Sequence, residues 1–258
     1  YTSEHSNNKY SRSVSNSAFT GFAGIAYDVS DQIELNANIG NAFRFPSLTE
    51  LYFSGTTARG EIVGNENLAP EESINYEIGF KWSHQSSLLK MTIFENKFDQ
   101  YIERVTTGTN NNGDDILTFI NQQNGKIKGI ETEYQIDLSS ALELSFIATS
   151  IQGETDFGET LADIPSDGAS LSFNYHKNNW QAQIKLQHRR TKPKFGSGEL
   201  ATQAANLLTA SYQHQLNNNW LVKIVGENLF DAEYVGSSDD LSTLMPGRNF
   251  GFSVIWRD

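Results

Sequence analysis

The sequence predicts an all-β chain, a transmembrane antiparallel β-barrel of about eleven or twelve strands. Three observations predict it. Apolar residues recur at every second position from end to end, tight turns alternate with long polar loops, and aromatic residues gather at strand ends beside the tight turns. In SINYEIGFKW, Ile74, Tyr76, Ile78, Phe80 and Trp82 share one face, and Ser73, Asn75, Glu77, Gly79 and Lys81 share the other. WQAQIKLQHRR sets Trp180, Ala182, Ile184 and Leu186 against Gln181, Gln183, Lys185, Gln187 and Arg189. QIELNANIG and GIETEYQID repeat the pattern: Ile33, Leu35, Ala37 and Ile39 share a face in the first, and Ile130, Thr132, Tyr134 and Ile136 in the second.

In chain order, strands are expected at roughly 17–28, 32–43, 72–83, 88–103, 116–137, 141–152, 167–176, 180–190, 204–214, 220–230 and 246–257. Tight turns fall at DVSD, HQSS, LSSA, KNN and LNNN. Long polar loops fall at about 44–71, 104–115, 153–166, 191–203 and 231–245. Short turns on one rim and long loops on the other are the organisation of an outer-membrane barrel. NQQNGK, at 121–126, contains an Asn-Gly turn signal. A hairpin there would break the alternation of short and long connections, so 116–137 reads as one long strand projecting above the membrane. Single-chain bacterial barrels have even strand numbers, so eleven implies an incomplete barrel or a twelfth strand within residues 1–16.

Trp82, Trp180, Trp220 and Trp256, with Tyr27, Tyr175 and Tyr212, lie where a periplasmic aromatic girdle would stand. The competing architecture is a soluble sandwich with these aromatics in its core. Eleven long strands with such polar loops would leave more one-sided aromatic surface than a sandwich buries.

Composition narrows the function. The 258 residues carry 31 acidic and 19 basic side chains, a net charge of −12, which repels phosphate and argues against a nucleic-acid partner. With no cysteine, neither disulfides nor thiolate metal sites are possible. No apolar run is long enough for a transmembrane helix, and YTSEHSNNKY lacks a signal-peptide pattern.

Four segments carry a resemblance: NAFRFPSLTELY at 41–52, GNENLAPEESINYEIGFKW at 64–82, NQQNGKIKGIETEYQ at 121–135, and ENLFDAEY at 227–234 followed by PGRNFGFSVIW. In this order and spacing they resemble the C-terminal part of the TonB-dependent outer-membrane receptor barrel. The resemblance implies the C-terminal half of a barrel of about 22 strands, which in the family encloses an N-terminal plug. It implies import of a scarce nutrient, most often a ferric siderophore, driven through TonB. Residues 1–258 would be a barrel portion, with neither plug nor TonB box. The implied partners are outer-membrane lipid and lipopolysaccharide, the nutrient, and the TonB complex acting through a plug supplied elsewhere.

The motif residues themselves read mainly as structural. Pro46 and Pro70 remove backbone donors where strands stop or start, Gly64, Asn65 and Asn67 suit a turn, and Asn228 with Asp231 suits a tie for the 231–245 loop. Lumen-facing Glu77, Lys81, Glu131, Glu133, Gln181 and Gln183 would meet water or the plug. The candidate ligand contacts are Arg44, Arg59, Arg104, Arg189 and Arg190, whose guanidinium forks match carboxylate or catecholate oxygens, and Tyr52, Phe53 and Tyr234, which suit stacking on a chelator. The same arginines equally suit lipopolysaccharide phosphate, or loop carboxylates such as Asp114, Asp115, Asp239 and Asp240.

No cofactor or metal is expected. His5, His84, His176, His188 and His214 lack ligand spacing, and the Asp-Asp pairs lack the rest of a calcium loop. An outer-membrane phospholipase would need a serine and a histidine together on the outer face. His188 and His214 fall near opposite rims, so an enzyme is not expected. The alternative function is a complete small channel of about twelve strands for passive diffusion. In the closing strand, Phe250, Phe252, Val254 and Trp256 face outward with Asp258 next in register, where the family usually places an aromatic residue.

Overall fold

The computed structural model describes residues 2–3, 12–13, 17–121 and 124–256. Period-two segments become strands because extended backbone sends alternate side chains to opposite faces. In chain order they are β1 (Thr2–Ser3), β2 (Arg12–Ser13), β3 (Phe22–Ser30), β4 (Ile33–Arg44), the helix α1 (Leu48–Tyr52), β5 (Ser54–Thr57), β6 (Gly60–Val63), β7 (Glu71–His84), β8 (Ser87–Asp99) and β9 (Ile102–Thr109). There follow β10 (Asp115–Asn121), β11 (Asn124–Ser139), β12 (Leu142–Thr155), β13 (Gly168–Lys177), β14 (Trp180–Arg189), β15 (Ala205–Gln215), β16 (Trp220–Glu227) and β17 (Asn249–Trp256).

Eleven strands form one sheet in the order β17-β16-β15-β14-β13-β12-β11-β8-β7-β4-β3. This matches the expected strand number, and every expected tight turn joins two neighbours in it. Gln85 and Asn178 take positive φ of 49° and 51° to make two of those reversals.

One expected strand is corrected, and a second is seen in two parts. The segment 88–103 is broken at Gln100, whose φ is +59°, into β8 and β9. The segment 116–137 is seen as β10 and β11, which lie in different sheets and do not pair as a hairpin; residues 122–123, where the two would join into one long strand, lie outside the described residues. The released pieces join β5 and β6 in a separate four-stranded sheet, β5-β6-β10-β9, in which β6 and β10 run parallel. The expected loops at 44–71 and 104–115 therefore hold a helix and much of this sheet. For the sought twelfth strand, β1 pairs with β2 in a two-stranded sheet, and the rest of 1–16 lies outside the described residues, as do Arg257 and Asp258.

The chain divides into two compact units: residues 1–23, 39–75 and 96–126, and residues 24–38, 76–95 and 127–258. The first holds the four-stranded sheet, whose core is Ile62, Leu68, Ile102 and Leu117. In the second, strand registers stack side chains into rows. Leu142, Tyr175, Ala182, Tyr212, Ile224 and Phe252 lie opposite one another across β12 to β17, as do Leu144, Phe173, Ile184, Ala210, Gly226 and Phe250. The intervening rows are polar, for example Glu143, Asn174, Gln183 and Ser211, and Gln181, Gln213, Lys223 and Ser253.

Phe173, Ile184, Ile224, Phe250 and Phe252 are exposed, whereas the most completely buried large side chain among the described residues is Leu161, in the connection between β12 and β13. Apolar strand faces open to the surroundings beneath a packed loop core invert the soluble arrangement and fit lipid contact. At the tight-turn end Trp180 packs on Tyr175 at 4.7 Å and on Tyr212 at 6.0 Å between ring centroids, and Trp220 stands opposite Trp256. These are the expected girdle residues.

Candidate ligand-facing loops and lumen wall

In the first unit the two motif segments meet through charge. β4 ends at Arg44, Pro46 prevents continuation, and Ser47 caps α1. The cap is reciprocal: the Glu50 N–H donates to Ser47 Oγ at 3.2 Å, and the Ser47 N–H donates to Glu50 Oε2 at 2.6 Å. Arg44 donates to Glu50 at 2.9 Å and, through Nε, to Glu71 at 2.5 Å. Glu71 opens β7 directly after Pro70, and its other oxygen accepts the N–H of Ile102 at 2.6 Å, which starts β9. One carboxylate thus fixes the starts of two strands. Burial pushes the Glu50 carboxyl up, but the hydrogen bonds from Arg44 and Ser47 outweigh it and hold it below the ordinary range.

Asparagines complete this unit. Asn121 accepts from the Ala69 N–H at 2.8 Å and donates to the carbonyls of Ala69 and Gln100, while Asn65 donates to the Phe119 carbonyl at 2.8 Å. At Gly64 a side chain would press on the Leu51–Tyr52 backbone, about 2.8 Å away, so the turn needs glycine.

In the second unit, three connections are tied around a buried ion pair. Lys192 Nζ donates to both oxygens of Glu199, at 3.0 and 2.8 Å, and to Ser238 Oγ at 2.9 Å. Ser238 donates in turn to Glu199 at 2.5 Å, and the N–H groups of Gly196 and Asp163 donate to the same carboxylate at 2.8 and 2.9 Å. Residues 156–167, 190–204 and 228–248 are held together by this node. Burial raises the Glu199 pKa, yet the four donors together hold it below the ordinary carboxylate range. The 228–248 segment has its own tie. Asn228 donates to the carbonyls of Ala232 and Pro246 and accepts from the Ala232 N–H, and Asp231 accepts from the Arg248 N–H at 2.8 Å. This is the tie expected from Asn228 and Asp231.

The expected contact residues fall into separate settings. Arg44 is held by Glu50 and Glu71. Arg189 donates to the carbonyls of Val235 and Gly236 at 2.9 and 3.2 Å, with its guanidinium 5.7 Å above the Tyr234 ring, so these two expected residues do come together. Arg190 pairs with Asp167 at 3.1 Å. Tyr52 closes α1, the exposed Phe53 follows it, Arg59 sits in the turn between β5 and β6, and Arg104 lies in β9 opposite Phe119. Glu71, Lys192, Glu199 and Ser238 were not anticipated. A glutamate following Pro70 in a motif was a usable signal for the first; the other three become neighbours only when distant loops fold together.

The polar strand face carries a connected track. Gln135 and Asn174 both donate to Glu143, at 2.7 and 2.8 Å, and Gln183 donates to Asn174 at 2.8 Å. Beside it Glu143, Asn174, Gln181, Gln213 and Lys223 line a recess of about 530 Å³. Lys81 with Glu34 at 3.7 Å and Lys90 with Glu133 at 3.2 Å add ion pairs on the same class of face.

A family model described as TonB dependent receptor-like, beta-barrel matches residues 1–229. The chain belongs to the TonB-dependent receptor family. It is similar to a vitamin B12 transporter BtuB from Photobacterium profundum, 25% identical over 212 residues covering 81% of this chain and 33% of the relative. It is also similar to the ferric enterobactin receptor PirA of Pseudomonas aeruginosa, 28% identical over 193 residues, 66% of this chain and 25% of the receptor. Among solved structures, the copper transporter OprC superposes with a TM-score of 0.78 at 18% identity, over 92% of this chain and 39% of that one. The chain spans about a third of the length of the curated relatives it matches. The eleven-stranded sheet is part of an outer-membrane receptor barrel, and the relatives are transport receptors.

Proposed function

We propose that this TonB-dependent receptor barrel serves the capture and import of a ferric siderophore. The observation that carries the reading is the asymmetry of the sheet. Its turns are short at the girdle end, its connections at the other end are long and internally braced, and between them an apolar face backs a polar one. Likeness to receptors named for ferric enterobactin supports a catecholate-type chelate as cargo.

Arg59, Arg104, Tyr52 and Phe53 are the proposed cargo contacts in the first unit, since a chelate with anionic oxygens and aromatic rings suits guanidinium and aromatic neighbours. Arg44, Arg189 with Tyr234, and Arg190 are proposed to shape the surface through their bonds to Glu71, the Val235 carbonyl and Asp167. The polar track from Gln135 to Gln183 would face a plug supplied by the rest of the receptor, through which TonB would act.

Growth of a gene-deletion strain on single iron sources tests the reading. Loss of growth on one ferric catecholate, restored by the intact gene and reduced by Arg59→Ala with Arg104→Ala, is the expected result. Unchanged uptake of every ferric chelate would exclude it.

A further inference from the structure

On the polar face of the second unit, lysines are paired on some strands and unpaired on others. Lys81 on β7 meets Glu34 at 3.7 Å, and Lys90 on β8 meets Glu133 at 3.2 Å. Lys185 on β14 and Lys223 on β16 have no hydrogen-bond or ion-pair partner among the described residues. Strand register puts these two in series with a third cation. Arg189 stands opposite Ala205 on β15 and Lys185 opposite Thr209, while Lys223 stands opposite Gln213. Cations therefore recur at every fourth residue of β15, about 13 Å apart at roughly 3.3 Å per residue.

What lies between these cations is neutral. Ser170, Gln187 and Leu207 occupy the polar face between the Arg189 and Lys185 levels, and Asn174, Gln183 and Ser211 occupy it between the Lys185 and Lys223 levels. From β13 to β17 this face carries one carboxylate among the described residues, Glu227, which stands opposite Asn249 and two strands from Lys185. Glu143 on β12 borders the series, and its charge is already met by donors from Gln135 and Asn174 at 2.7 and 2.8 Å. At the girdle end the series opens into the recess of about 530 Å³, where His176, Gln181 and Gln213 stand beside Lys223. That is the size of a small-molecule site.

We propose that this series is the transit track of an anionic ferric chelate through the lumen, with Lys185 as its middle station and Lys223, in the recess, as its exit station. Each free ammonium offers three donors to chelate oxygens and has no carboxylate to leave first, unlike Lys81 and Lys90. Passage needs sites that attract a ligand yet release it, which several separate single-cation sites supply better than one strong one. The neighbouring strands carry Glu34, Glu77, Glu131 and Glu133, which repel an anion, so the track keeps to β13–β16. The inference rests on the reading of the cargo as an anionic chelate, and adds its route after capture.

The test uses the intact receptor in a gene-deletion strain, with a radioiron-labelled ferric tris-catecholate as probe. Binding is measured on ice and uptake at growth temperature, both scaled to the folded receptor shown by heat-modifiable electrophoretic mobility. Lys185→Gln with Lys223→Gln should leave binding unchanged and lower the maximal uptake rate roughly tenfold, the low end of what a cleft of one charge sign contributes. Lys185→Arg with Lys223→Arg should keep most of the rate. Ser211→Asp, which puts a carboxylate between the two lysine levels, should slow uptake by itself. Unchanged uptake in the glutamine pair, or equal loss in the glutamine and arginine pairs, would overturn the track and leave the cargo reading standing. New sensitivity of the glutamine pair to a large antibiotic would show that the lysines seat the plug instead, and would overturn it too. An unaltered receptor that neither binds nor imports the probe would sink the cargo reading itself, and the track with it.

Discussion

The two charge nodes use the same chemistry in different solvent. In the first unit Arg44 joins Glu50 and Glu71, and its side chain is 45% exposed. In the second, Lys192 joins Glu199 and Ser238, with side chains of the ion pair only 8% and 2% exposed. An exposed pair gains little because water screens it and competes for its donors. A buried pair holds only when every lone pair and proton is satisfied, and any loss then leaves a charge stranded. The Lys192 node meets this condition with donors from three chain segments, which makes it all-or-none. The Arg44 node distributes its effect, and its most committed member is Glu71 rather than the arginine.

The largest expected effect is therefore at Lys192. Lys192→Ala strands the Glu199 carboxylate and should cost about 3–5 kcal/mol of local stability, seen as faster hydrogen exchange and proteolysis across 156–167, 190–204 and 228–248. Lys192→Met combined with Glu199→Leu should recover much of that loss; equal damage from the single and double variants would mean that packing, not charge, holds the segments together.

Acid gives a second way to break the same node. The folded pKa of Glu199 is depressed, so its contribution is complete above the ordinary carboxylate range and is lost as pH falls through that range to the folded value. Exchange in the three segments should accelerate over that interval. In Lys192→Met the carboxyl loses its charged partner, and the transition should move to higher pH.

The contrast also shows what sequence can reveal. Period-two alternation depends only on neighbours along the chain, so β7, β12, β13, β14 and β16 were legible with their turns. The four-stranded sheet was not. β5 and β6 are four residues each, and β6 pairs in parallel with β10, a segment far away in sequence. The break at Gln100 has no Gly or Pro to announce it, because the tie that holds it is the side chain of Asn121. Arg44 was legible as an unusual cation but not as a paired one. Of its two carboxylate partners, Glu71 lies 27 residues on and is brought to it by the pairing of strands. Lys192, Glu199 and Ser238 carry no local pattern.

An intermediate effect is expected at Glu71. Glu71→Ala removes an acceptor from the buried Ile102 N–H and from Arg44, and should cost about 1–3 kcal/mol, localised by hydrogen exchange to β9 and the start of β7. Glu71→Gln keeps an acceptor for Ile102 and should cost less. If Arg44→Ala were as damaging as Glu71→Ala, the node would be centred on the cation, and its difference from the Lys192 node would shrink.

Ser47→Ala should have the smallest effect. It removes the hydroxyl that accepts the Glu50 N–H, a change usually worth about 1 kcal/mol at a helix start. Here α1 is five residues long with no buried side chain, so little structure depends on it. Glu50 keeps its bonds from Arg44 and from the Ser47 backbone N–H, so the carboxylate should stay below its ordinary pKa after the substitution. Hydrogen exchange should rise at Glu50 and Leu51 and remain unchanged at Ile102. Faster exchange at Ile102 in this variant would show that cap and strand start open together, making the exposed node as cooperative as the buried one.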